Sequence, residues 1–232
     1  MANRPVYIPK TNSESVGVTT KDVEFEWFPG MSKSQKQKSI LSLHEASYKL
    51  DISPLLEISS KSMVELGVNL SAFNLTITTK KHNRSFSVET AFQGGKVFEN
   101  GGPYTDLLEG SSVQAKKDIR LKESGGLTKF IFFNTEFPLK PRTFFYDWLY
   151  VNAIHQNEDI SNEVMKYKGF TDIEFNPKKS INCQAYSAAL YVSLRSAGII
   201  KEALKSPDTF LNILVEEYKK RDDSFLIQNT LL

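Results

Sequence analysis

Glu89, Gln93 and Lys96 lie in the stretch Ser87-Val88-Glu89-Thr90-Ala91-Phe92-Gln93-Gly94-Gly95-Lys96. Ser87 suits a helix N-cap, and Glu89 in the first turn suits the positive end of the helix dipole. Residues at i, i+4 and i+7 of a helix share a face, so an acid, an amide and an amine line up on one stripe. Composition alone favours a solvated face with one internal ion pair. Two features argue for more. Val88 and Phe92 make the adjacent strip apolar, and Gly94-Gly95 weakens the helix by about 1 kcal/mol per glycine relative to alanine. Such a cost often marks a place where another backbone or a ligand comes close.

Three other groups carry chemistry. Phe170-Thr171-Asp172-Ile173-Glu174-Phe175 reads as an extended segment with Asp172 and Glu174 on one side. Lys116, Lys117, Arg120 and Lys122 form the most basic window, either a solvated helix face or a clamp for a pyrophosphate or a DNA backbone. Phe144-Phe145-Tyr146-Asp147-Trp148-Leu149-Tyr150 is strongly aromatic. Most of those rings belong in a core, with one or two, Trp148 among them, available to stack on a base.

The totals narrow the classes. The chain has 232 residues, 40% hydrophobic and 24% charged, with a net charge of +2, which is ordinary globular composition. A nucleic-acid partner would have to be met by a local patch. One cysteine, Cys183, excludes a disulfide framework and a four-cysteine zinc site, and three dispersed histidines disfavour a metal centre. No cofactor or metal is expected. No apolar run approaches the ~20 residues of a membrane span, and Met1-Ala2-Asn3-Arg4-Pro5 lacks the apolar core of a signal peptide. A cytoplasmic protein is the simplest expectation.

The elements that must position these groups follow from pattern. Residues 1–20 read as an irregular lead-in tied down by Val6-Tyr7-Ile8, and Val23 to Trp27 alternates like a half-buried strand. A helix runs from Ser34 to about Leu50 with Ile40, Leu43 and Tyr48 on its core face. Leu56 to Ser62 is strand or loop, Leu70 to Thr78 is rich in β-formers, and 80–84 is a polar turn. The helix opening at Ser87 is stopped by Asn100-Gly101-Gly102-Pro103. Tyr104 to Leu108 is a helical turn, Ser111 caps a helix reaching Arg120, and Lys129 to Phe133 is a buried strand. Thr143 caps the aromatic helix, Ser180 opens another, and two helical stretches, Lys201–Lys205 and Asp208–Arg221, follow before a loose tail at 222–232. The sum is a helix-rich α+β single domain with a small β component.

Several segments together resemble the NADAR (NAD and ADP-ribose, YbiA-like) superfamily: Ser71-Ala72-Phe73, Ser87-Val88-Glu89 with Ala91-Phe92-Gln93 and Lys96, and Ala115-Lys116 with Arg120. The chain is more similar still to the NADAR antitoxin branch paired with guanine-modifying DarT-type toxins. That narrower match rests on Ser34 to Ile40, Leu56 to Ser62, Phe98 to Tyr104, Phe144 to Tyr150 and Phe170 to Pro177. It covers roughly residues 5 to 200. Smaller YbiA-like members carry Trp-Gly after the aspartate where this chain has Ile173-Glu174-Phe175.

The resemblance implies a glycohydrolase that removes ADP-ribose from the exocyclic amine of guanine in DNA, with ADP-ribosylated DNA as substrate, ADP-ribose as product and a DarT-type toxin as functional partner. Breaking that bond builds positive charge on the ribose, which a carboxylate stabilises. Glu89 is the first candidate, and Asp172 or Glu174 the second carboxylate, assisting water or holding ribose hydroxyls. Lys96 either supports Glu89 electrostatically or attacks the anomeric carbon as an amine. Lys116 and Arg120 are candidates for the pyrophosphate. Gln35, Lys36, Phe73, Gln93, Trp148 and Asn182 complete the expected substrate contacts. Two other readings stay open: an N-glycosidase acting on small riboflavin-pathway intermediates, and a non-catalytic module that binds ADP-ribose or the toxin.

Overall fold

The chain opens on a hairpin. In the computed structural model, which describes residues 1–12, 15–79, 83–177 and 180–230, with side chains to 221, β1 (Ala2–Pro9) pairs antiparallel with β2 (Val18–Phe25) over eight rungs. The irregular lead-in expected at 1–20 is therefore a strand pair. Pro5 hides it, because proline cannot donate to a ladder. Proline is tolerated here because β1 meets its other neighbour at Tyr7 alone, so Pro5 has a strand partner on one side only.

After α1 (Lys33–Tyr48) comes β3 (Leu55–Glu57), and the first sheet has the order β2-β1-β9-β3, with β9 (Gly169–Thr171) parallel to β3. Ile40 and Leu43 of α1 are buried against this sheet with Val6, Val23 and Phe25. Tyr48 is exposed instead, since it lies five residues past Leu43 and off that face; Ser47 takes the buried position.

The second layer positions the site. The β-rich stretch expected at 70–78 is mostly otherwise: α2 (Glu65–Asn69) leads into a turn at Ser71–Asn74, leaving only β4 (Thr76–Thr78). β4 pairs with β5 (Ser85–Ser87), which delivers the chain to α3 (Val88–Gly94). The expected polar turn at 80–84 falls largely outside the described residues. The Ser87 hydroxyl caps α3 by accepting from the Thr90 N–H at 3.0 Å.

α3 does not run on to Asn100. It ends at Gly94–Gly95, and Lys96 already belongs to β6 (Lys96–Phe98), paired with β7 (Leu127–Phe132) and through it with β8 (Thr135–Phe137). The Ile131 N–H donates to the Gly95 carbonyl at 2.7 Å, and a Cβ at Gly95 would stand 2.9 Å from the Phe145 ring. The glycine pair thus closes the helix and lets an aromatic ring pack on its end. α4 (Ser112–Lys117) has the expected Ser111 cap, with Gln114 completing a capping box, and breaks before the short α5 (Arg120–Glu123).

α6 (Phe144–Gln156) and α8 (Gln184–Ser196) are the central helices, with Phe145, Tyr150, Leu190 and Tyr191 almost wholly buried. α8 starts at Gln184 rather than Ser180. α7 (Glu158–Glu163), α9 (Ile200–Ala203) and α10 (Pro207–Thr230) complete an α+β fold. The backbone of the expected loose tail is helical to Thr230.

Candidate active site

A cleft of about 820 Å³ opens where α3, the Ser71–Phe73 turn, the start of α6 and the loop before α8 converge. That volume lies in the ~300–1,000 Å³ range of small-molecule sites. Its floor is aromatic. Phe92 meets Phe130 at 5.5 Å between ring centroids and Tyr146 edge-to-face at 5.3 Å, and all three line the cleft.

One wall is α3, with Glu89 and Gln93 both buried to within 7% of full exclusion. Gln93 Nε2 donates to Glu89 Oε1 at 2.9 Å, and Lys96 Nζ donates to Gln93 Oε1 at 2.7 Å. Although Lys96 has left the helix, the expected acid, amide and amine form one hydrogen-bonded row. Lys96 Nζ also stands 4.8 Å from the centre of the Phe92 ring. Burial pushes the Lys96 ammonium below its ordinary value, Glu89 partly restores it, and Lys116 lowers it further. An amine so placed loses its proton more readily than a surface lysine.

The opposite wall is the turn after β9. The expected extended segment ends at Thr171, because the Asp172 carboxylate accepts the N–H groups of Glu174 and Phe175 at 3.0 and 3.1 Å and folds the chain back. Asp172 and Glu174 nevertheless both reach the cleft. The Asp172 carboxyl is pushed up to about 8, first by burial and then by the charge of Glu57. Both causes favour its protonated form. Gln184 braces this wall: its carbonyl oxygen accepts from the Ala72 N–H at 2.8 Å and its amide donates to the Ile58 carbonyl at 2.7 Å.

Eight of the twelve expected residues line this one cleft: Glu89, Gln93, Lys96, Asp172, Glu174, Phe73, Lys116 and Asn182. Lys116 Nζ lies 5.0 Å over the Phe73 ring at the rim. Four expected residues do not line it. Arg120 is held by two carboxylates, Asp118 at 2.8 Å and Asp106 at 2.6 Å, and covers Tyr104. Its place among the cleft cations is taken by Arg142, which no spacing signalled because it stands alone between Pro141 and Thr143. Trp148 turns outward from α6 and packs edge-to-face on Phe210 at 5.5 Å. Gln35 and Lys36 sit in the first turn of α1, where Lys36 Nζ covers Trp27 at 4.8 Å. Phe175, Asn176 and Ser180 also line the cleft without having been singled out.

Among the described residues no group of three or more His, Cys, Asp or Glu side chains is placed to hold a metal ion, and no helix is long and apolar enough to cross a membrane. A search of curated proteins finds no match to this chain. A family comparison does: the family described as DarT1-associated NADAR antitoxin matches residues 2–224, which include every wall of the cleft. The chain belongs to the DarT1-associated NADAR antitoxins.

Proposed function

We propose that the protein is a glycohydrolase that removes ADP-ribose from guanine bases in DNA, and that it counteracts a DarT-type toxin by erasing the toxin's product. The observation that carries this reading is the meeting of Glu89, Lys96 and Asp172 in one cleft. The toxin need not be captured, because removal of its mark is sufficient.

Each group then has a task. The guanine exocyclic nitrogen is a poor leaving group and needs a proton, which Asp172 holds near neutral pH. Glu89 faces the positive charge that develops on the ribose. In the ring-opened form of the substrate, the Lys96 amine adds to the anomeric carbon. The bond to guanine nitrogen breaks, guanine leaves with its amino group restored, and the sugar remains as a Schiff base on Lys96. Water adds to that Schiff base, the bond to Lys96 breaks, and ADP-ribose departs with its aldehyde free to close the ring. Lys116 and Arg142 are the cations available for the pyrophosphate, and the aromatic floor accepts a base.

Sodium borohydride tests the covalent step. Added during turnover of a single-stranded oligonucleotide carrying ADP-ribosyl-guanine, it is expected to trap the sugar on Lys96 as a stable amine, seen by peptide mass spectrometry. Normal turnover with no adduct on Lys96 would leave that residue an electrostatic role only.

A further inference from the structure

Behind the Asp172 turn, outside the cleft lining, lies Glu57, the last residue of β3, 2% exposed and in no ion pair among the described residues. A buried carboxylate without an ion pair is costly unless hydrogen bonds satisfy it. Both oxygens of Glu57 are satisfied. Oε1 accepts from the Ser59 hydroxyl at 2.7 Å and from the Ile173 N–H at 2.9 Å, while Oε2 accepts from the Thr171 hydroxyl at 2.7 Å. Thr171 has one hydroxyl proton and gives it to Glu57, so its oxygen must accept from His44 Nε2–H at 3.0 Å. Two of these donors, Thr171 and Ile173, flank Asp172 in sequence.

Asp172 is arranged differently. Both backbone donors, from Glu174 and Phe175, go to its Oδ1. Among the described residues Oδ2 takes no backbone donor, which makes it the oxygen better placed to bear a proton. We propose, resting on the reading of Asp172 as the proton donor, that Glu57 is a positioning residue: it pins the turn on either side of Asp172 and, by staying ionised behind it, keeps the proton on Asp172 Oδ2.

The other groups around Asp172 leave this role to Glu57. Tyr7 of β1, Tyr146 and Tyr150 of α6, and Cys183 before α8 are all buried and held neutral, their protons bound more tightly than usual. Arg4 of β1 interacts with Asp172, and Gln184 of α8 donates a hydrogen bond to it; both favour the charged form and so oppose the effect. Glu174, in the same turn, is solvent-exposed and better screened. His44 of α1 is half-buried and pushed down to about 4 by loss of solvent, hence neutral at working pH. Burial pushes the Glu57 carboxyl above its ordinary value as well, and the donors from Ile173, Thr171 and Ser59 pull it back toward the charged form; with donors on both oxygens, Glu57 is the better held of the two as an ion.

The test is a 13C NMR titration of the side-chain carboxyl carbons, with Asp172→Asn assigning the resonance. In the parent protein the Asp172 signal is expected to titrate near pH 8. In Glu57→Gln, which keeps shape and removes the charge, it is expected to titrate at least about one unit lower, the size of a like-charge effect at short range. The alkaline limb of kcat for ADP-ribose release from the modified oligonucleotide moves down with it, while KM holds. Ser59→Ala, a milder change, withdraws one donor from Glu57 and is expected to move the Asp172 midpoint the same way by less. It serves as the test if Glu57→Gln does not fold. An unmoved Asp172 midpoint in the folded variant overturns the proposal, even if the protein releases ADP-ribose. A shifted midpoint in a protein that releases nothing leaves Glu57 in its role and sinks the glycohydrolase reading instead.

Discussion

Between Glu89 and Lys96 stands Gln93, whose amide donates to the acid and accepts from the amine. The three residue types and their order were legible because each is chemically distinctive and the three are close in sequence. The raised Asp172 carboxyl was not legible, because it arises first from burial and then from the charge of Glu57, a residue remote in sequence that only the β3–β9 pairing brings alongside. That rise has a consequence for stability. Folding raises Asp172 to about 8 from the ~3.9 of a free aspartate, so between those values the native state binds a proton that the unfolded chain has released. Its contribution is present at low pH and is lost as pH rises toward 8. His44 acts oppositely: its folded value is about 4 against ~6.5 unfolded, so its contribution is lost as pH falls through that window. From about 6.5 to 8 only the aspartate of this pair still titrates. Scanning calorimetry is therefore expected to show Tm falling from pH 6.5 to 8 in the parent protein and a flatter profile in Asp172→Asn. Equal slopes in the two proteins would remove the raised aspartate from the account.

At the scale of elements, the end of α3 decides where Lys96 goes. Gly94-Gly95 was readable as a weak point and a place of close approach. That the chain there leaves the helix for a strand depends on β7, whose Ile131 N–H takes the Gly95 carbonyl. Periodicity within a short window cannot report a partner strand that lies further along the chain. The same limit hid β1, where Pro5 masks a strand paired with β2, and turned the Asp172 loop into an apparent extended run. Gly95→Ala is expected to destabilise the fold by about 1–3 kcal/mol, the range for overpacking, because its Cβ would stand 2.9 Å from Phe145 Cζ. Urea unfolding measures this. A loss within error of zero would mean that the ring moves aside freely and that the glycine is not what sets the α3–β6 junction.

Across the whole molecule, the α+β class and most helices followed from pattern, and eight of twelve expected residues share one cleft. Those that lie outside the cleft do so for a common reason. Arg120 belongs to a basic window, yet Asp106 and Asp118 fold in to neutralise it, while the solitary Arg142 reaches the cleft because α6 starts there. Trp148 lies on an aromatic helix, but its place on the turn faces Phe210 rather than the cavity. Charge density and aromatic density mark candidates; which of them face a ligand is fixed by packing between distant segments. Glu89 and Lys96, from α3 and the start of β6, meet Asp172, from the turn after β9, in that cleft. The most direct measurement is chromatographic detection of free ADP-ribose after mixing the protein with single-stranded DNA carrying ADP-ribosyl-guanine. The account predicts release by the parent protein and a loss of at least about 10²-fold in Glu89→Gln with ADP-ribose binding retained. No release by the parent, or equal release by Glu89→Gln, would contradict it.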